Sequence, residues 1–267
     1  MLSSPLAHGS DTFTTATGML LPAPLELPEP MKNHLGSIIE QLETGCISMI
    51  ESDDLKNLHQ TMHHLMVAAI AQDWQVALID LANCFNPQLI SSIAFDQGMH
   101  AQLVLEQIGL ARPFQIHQAT SIIKNLVGHL RKFDEKHLVI VTDISSLFFD
   151  PGIANEDPLF PLPQLEQMRQ SVGILQSLSV QGHSILITDA LSRVKSVLHS
   201  REVPEIKPAS LQYSAKLHII AQKTQGNRKV ELISHPYLSQ ATTFIKQLPK
   251  SKHRFQKHQQ ADLADYF

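Results

Sequence analysis

Between Gly45 and Leu65 the chain reads GCISMIESDDLKNLHQTMHHL. Cys46 to Ile50 is a short apolar run with one serine, while Leu55, Leu58, Met62, Leu65, Met66 and Ala69 recur at three- and four-residue steps. A buried strand feeding an amphipathic helix is predicted, the opening unit of an α/β domain. Nucleotide-binding domains keep a phosphate loop at this junction, spelled G-x-x-x-x-G-K-[ST]. Its glycines let backbone N–H groups wrap phosphates, its Lys neutralises their charge and its hydroxyl holds magnesium. Here Ser52 to His59 read SDDLKNLH, with Leu58 at the Lys position and His59 at the hydroxyl position. Asp53 and Asp54 are expected to face the place of a polyphosphate and to repel it.

The 267 residues, 43% apolar and 17% charged, suffice for one sizeable core with tails. No apolar run reaches the roughly 20 residues of a membrane span, and the first residues lack a basic-then-apolar leader, so an intracellular, non-membrane protein is expected. Cys46 and Cys84 each fall in or beside a predicted strand and read as buried, reduced thiols rather than a bridge, a nucleophile or a metal site. The formal charge of −4 argues against a strong general binder of nucleic acid. His59, His63 and His64 include an i, i+4 pair, but no acidic or Cys partner stands at ligand spacing, so a partly solvated helix is expected and no metal or other cofactor.

Further strands are predicted at Val76–Leu81, Phe114–His117, Leu138–Asp143 and Ser184–Asp189, with helices at Gln88–Phe95, Ser121–Phe133 and Leu165–Val180. Lys216–Gln222 and Lys229–His235 read as a hairpin around Thr224-Gln225-Gly226-Asn227. Residues 1–30 read as a flexible tail, 31–240 as the core and 241–267 as a basic tether, with Lys246 to His258 at most a weak DNA-backbone contact. The loop from Asp150 to Pro163 is acidic and that from Leu191 to Ser214 mixed in charge.

In this order the segments resemble the recombinase core of the RecA/RadA family, the strand-exchange proteins and their paralogues, over most of the chain. The resemblance implies a RecA-like P-loop NTPase core, a mostly parallel central sheet flanked by helices. Ile79, Asp80, Phe85 and Pro87 match the family segment I-D-T-E-x-x-F-R-P-E-R, but Ala82 stands for the Glu that orients water, and Asn86 for the Arg. Leu138 to Asp143 looks like the family's Walker B strand, with Asp143 at the position that reaches magnesium; Ser145, Ser146 and Phe149 continue it. The family's T-N-Q sensor reads Thr188-Asp189-Ala190, so Ala190 replaces the γ-phosphate-sensing Gln. Gly226, Arg228, Ser234 and Pro236 follow the pattern of the closing strands.

Two tail motifs add partners. Phe13-Thr14-Thr15-Ala16-Thr17 is similar to the family's F-x-x-A polymerisation motif, in which a linker strand pairs with a neighbour and plants Phe13 and Ala16 in pockets; a chance tail sequence is the alternative. Gln260, Leu263, Tyr266 and Phe267 resemble the PIP-box-like motif that plugs a PCNA-type sliding clamp. Together these resemblances imply no enzyme activity: a recombinase paralogue with a degenerate ATPase site, an adaptor in homologous recombination and DNA repair that links a RadA-type recombinase to the clamp. It would work in the cytoplasm at the replication fork, or in the nucleus of a eukaryote. Two alternatives stay open, a weak ATP-binding paralogue and a structural, clamp-associated subunit of a replicative polymerase or nuclease.

Overall fold

The computed structural model describes residues 23–130, 136–148, 162–191, 214–224 and 227–246. Strand β1 (Leu25–Glu26) pairs antiparallel with β2 (Gln41–Leu42), bracketing α1 (Glu29–Leu35). Helix α1 stops at Gly36, whose φ of 64° is left-handed and comes without penalty only to glycine. Next come β3 (Ile47–Ser52), α2 (Leu55–Ala71), β4 (Gln75–Asp80), α3 (Pro87–Asp96), α4 (Ala101–Glu106), β5 (Ile108–Ala111) and α5 (Ile116–Leu130). The remainder is β6 (His137–Thr142), α6 (Ile144–Phe148), α7 (Leu162–Val180), β7 (Ser184–Ala190), β8 (Ala215–Thr224), β9 (Asn227–Ser234) and β10 (Ala241–Lys246).

Eight strands form the main sheet in the order β10-β9-β8-β3-β7-β6-β4-β5; β8 to β5 run parallel, and β9 and β10 are antiparallel additions at one side. Every residue of β3, β6 and β7 is buried, as strands covered on both faces must be, and this is why they read as near-continuous aliphatic runs. The two-residue alternation of strands splits them between two cores. Ile50, Leu78, Ile140 and Leu186 pack with α1 to α4, whereas Met49, Ile79, Val141 and Ile187 pack with α5, α6 and α7. An α/β protein with a mixed, mostly parallel sheet between helical layers is the result, and the parallel strands all end on one edge. No helix of the described residues is long and apolar enough to cross a membrane.

Three expectations about boundaries are corrected. The strand expected at Phe114–His117 is instead β5 at Ile108–Ala111; Pro113 and Phe114 lie in the connection, with the Phe114 ring exposed, and α5 already begins at Ile116. The sheet continues past residue 240 into β10, and the folded part begins before residue 31, because Leu25 and Leu27 lie in the core. The link between β3 and α2 is only Asp53 and Asp54, far shorter than a loop that could encircle phosphates.

Candidate functional site

In an open parallel sheet, ligands bind at the carboxyl ends of the strands. There the chain places Glu51, Asp53 and Asp54 after or within the end of β3, Asp80 on β4, Asp143 after β6 and Asp189 on β7. Asp54 caps α2, its Oδ1 accepting the Asn57 N–H at 3.4 Å. Its Oδ2 lies 3.0 Å from the Lys223 ammonium and accepts from Arg228 Nη2 at 3.2 Å. Asp53 Oδ2 accepts the Lys223 N–H at 2.7 Å, and the Asp53 N–H donates to the Ala221 carbonyl. Both acidic residues therefore hold the β8–β9 hairpin, which corrects the expectation that they face an open polyphosphate pocket. Burial pushes the Asp54 carboxyl up, but Lys223, the Asn57 N–H and Arg228 outweigh it and hold the group below the ordinary carboxylate range.

Behind this pair, Arg228 Nη1 donates to His34 Nδ1 at 3.0 Å. Burial first, and then the Arg228 charge, lower the His34 pKa to about 4, so its ring is neutral at pH 7 and carries its proton on Nε2. A cavity of about 320 Å³ adjoins these residues, lined among others by Asn33, His34, Asn57, Gln60, His64 and Arg228.

The end of β4 is a second network. Asp80 Oδ1 accepts from the Cys84 N–H at 2.9 Å and the Thr142 hydroxyl at 3.2 Å, and Oδ2 accepts from the Phe85 N–H and Arg112 Nε, both at 3.0 Å. Burial raises the Asp80 pKa, yet these donors together leave it below its usual value. The Ala82 N–H donates to Thr142 Oγ1, which ties the turn to β6, and Asn86 caps α3 by accepting from Gln88 and Leu89 N–H groups. Residues 82 and 86, where the family pattern has Glu and Arg, thus serve the turn itself. His63 completes it: Nδ1 donates to the His59 carbonyl, and Nε2 accepts the Asn86 N–H at 2.9 Å.

On the opposite face, Asp189 Oδ1 accepts from Ser145 Oγ at 2.5 Å and from the Ala190 N–H at 2.9 Å, fixing α6 to β7. Burial and the nearby Asp143 charge push the Asp189 pKa well above the carboxylate range. The β3–β7 register sets Glu51 directly beside Asp189, and Glu51 Oε2 is held by His218 Nε2 at 2.7 Å.

Of the positions singled out in the sequence, Asp143, Thr188, Asp189 and Ala190 do converge, on adjacent strand ends. Leu58 does not join them. It is fully buried in the core with Ile50, Met62 and Leu65, three residues inside α2, and His59 is half-buried on the same helix. Phe13, Ala16, Phe149, Gly226, Gln260, Leu263, Tyr266 and Phe267 lie outside the described residues. Sequence reading missed Arg112, Glu51, His218, Lys223 and His34 as members of these networks. Among the basic members only Arg228 stood in a recognised pattern, and Glu51, a carboxylate ending an apolar run, carried a usable signal.

Burial raises the Cys46 pKa to about 11 and, with Asp80 beside it, that of Cys84 to about 12, so neither thiol is a nucleophile at neutral pH. Among the described residues no group of three or more His, Cys, Asp or Glu side chains is arranged to hold a metal ion. Compared with protein-family models, the chain matches none.

Proposed function

We propose that this chain is a RecA/RadA-type recombinase paralogue that does not turn over ATP and acts as an adaptor in homologous recombination, bridging the active recombinase and a PCNA-type sliding clamp. One observation carries the inactive core: β3 passes into α2 through Asp53 and Asp54 alone, both already bound to Lys223, with Leu58 sealed in the core. Such a junction has neither the glycines nor the length to wrap a triphosphate, and its charge opposes one. The RecA-like reading is supported by adjacency, since β3, β7 and β6, which end in the loop-like, sensor-like and Walker-B-like positions, lie side by side. Those are the strands that one common site would need.

The partners rest on sequence motifs and are tested directly. Phe13→Ala with Ala16→Glu is expected to abolish capture of a RadA-type recombinase, and removal of Gln260 to Phe267 to abolish capture of the clamp, each with an unchanged thermal melt. Loss of two aromatic anchors from a plug of roughly micromolar strength leaves nothing measurable. Unchanged capture in both cases would overturn the adaptor role. The rival, a weak ATP-binding paralogue, is favoured by the retained Asp143. Calorimetric titration with magnesium and ATP decides between them: no heat is expected, and micromolar binding would sink the inactive core.

A further inference from the structure

The head of α2 has the makings of an anion site. A 17-residue helix directs its N-terminal N–H groups there, Lys223 and Arg228 converge from the β8–β9 hairpin, and Arg228 is nine-tenths buried. Its Nε and the His34 Nε2 have no hydrogen-bond partner, although both residues line the 320 Å³ cavity beside them. With Nη1 and Nη2 paired and Nε left over, the buried guanidinium still has one donor to satisfy. The chain itself completes the charge: the Asp54 carboxylate sits between the two cations and takes an N–H of the first turn of α2.

We propose that Asp54 is a resident anion, occupying a latent oxyanion site formed by Lys223, Arg228 and the first turn of α2, and that removing its carboxylate lets the site bind phosphate or sulfate. The exogenous anion enters from the cavity, which borders both Arg228 and Asn57, the residues that hold Asp54 from either side. In the unaltered protein the site is closed to phosphates because Asp54 already occupies it and the Asp53 carboxylate stands beside it on the Lys223 N–H, and the hairpin is clamped to α2 in the same stroke. This concerns the head of α2 alone, so it stands or falls separately from the partner motifs in the tails, which are read by capture experiments.

The test uses the full chain with Asp54→Ser, which keeps a good helix cap while deleting the charge, and with the isosteric Asp54→Asn. Thermal melts are recorded in chloride and in sulfate or phosphate of equal ionic strength. The unaltered protein is expected to show only the modest, non-saturating rise that sulfate and phosphate give any folded protein by exclusion from its surface. Each variant is expected to melt lower in chloride and to regain roughly 5 °C or more at saturating sulfate, with a hyperbolic dose dependence. Adding Lys223→Gln, a half-exposed position, to Asp54→Ser should weaken the sulfate response several-fold. If a variant is unfolded in chloride, the readout becomes recovery of a cooperative melt on adding sulfate. The proposal is overturned if the unaltered protein responds as strongly as the variants, if neither variant responds or recovers, or if Lys223→Gln leaves the response unchanged.

Discussion

Asp80 and Asp189 are both buried at strand ends, yet they make stability depend on pH in opposite directions. Asp80 has a depressed pKa in the folded state, so its contribution is complete above the unfolded value near 4 and is lost as pH falls through the lower folded value. Asp80→Asn, which cannot accept from all the donors that converge on Asp80, is expected to lose about 2–3 kcal/mol at pH 7, with the gap to the unaltered protein closing below about pH 4. Equal denaturation midpoints at pH 7 would refute it. For Asp189 the folded pKa is raised, so the folded state holds a proton that the unfolded state has released, and stability declines as pH climbs from about 4 toward neutrality. Asp189→Asn should flatten that decline, read as urea midpoints across pH 4 to 8. Leu58 gives the third expectation. Lys at this fully buried position leaves a charge without a partner, so Leu58→Lys should destabilise by at least about 3 kcal/mol and produce no ATPase activity. A folded variant with magnesium-dependent turnover would show that the β3–α2 junction has been misassigned.

Among the elements, α1 and β10 meet closely at Gly36. A Cβ on Gly36 would sit 2.6 Å from Thr243 Cγ2 on β10, besides straining the left-handed backbone. Gly36→Ala is therefore expected to lose about 2–3 kcal/mol, of which the double variant with Thr243→Ser recovers the Thr243 contact but neither the backbone strain nor the 3.0 and 3.1 Å contacts with Ile245. A strictly additive cycle would contradict the packing. The same neighbourhood shows what sequence reading can reach. β4, β6 and β7 were legible because strands covered on both faces leave unbroken aliphatic runs such as Leu138 to Val141. β5 was not, because Ile108-Gly109-Leu110-Ala111 is short, half-exposed and glycine-containing, while the aromatic Phe114 beyond it gave a stronger but misleading strand signal. β10 carries Thr242, Thr243, Phe244 and Ile245, good strand formers, but it was hidden by the polar segment before it and by the exposed half of its pattern. In the site, residues that end strands could be located. Their partners could not: Arg112 reaches Asp80 across 32 positions and His218 reaches Glu51 across 167.

For the whole molecule, β10 decides where the chain can be shortened. A chain ending at residue 246 keeps β10 over Gly36, and one ending at residue 240 loses that edge strand and should melt several degrees below it. Identical melts would mean that β10 contributes nothing. The sheet order also sets a timetable for synthesis. β3, sealed on both faces, pairs with β7 and β8, which begin at residues 184 and 215. Between translation of Ile47 and of Ser184 lie about 140 residues, or roughly 7–30 s at ribosomal speeds of about 5–20 residues per second. For all that interval Ile47, Met49 and Ile50 wait for the strands they will pair with. Until then this is a sticky segment on the nascent chain, without the strands that seal it in the finished sheet.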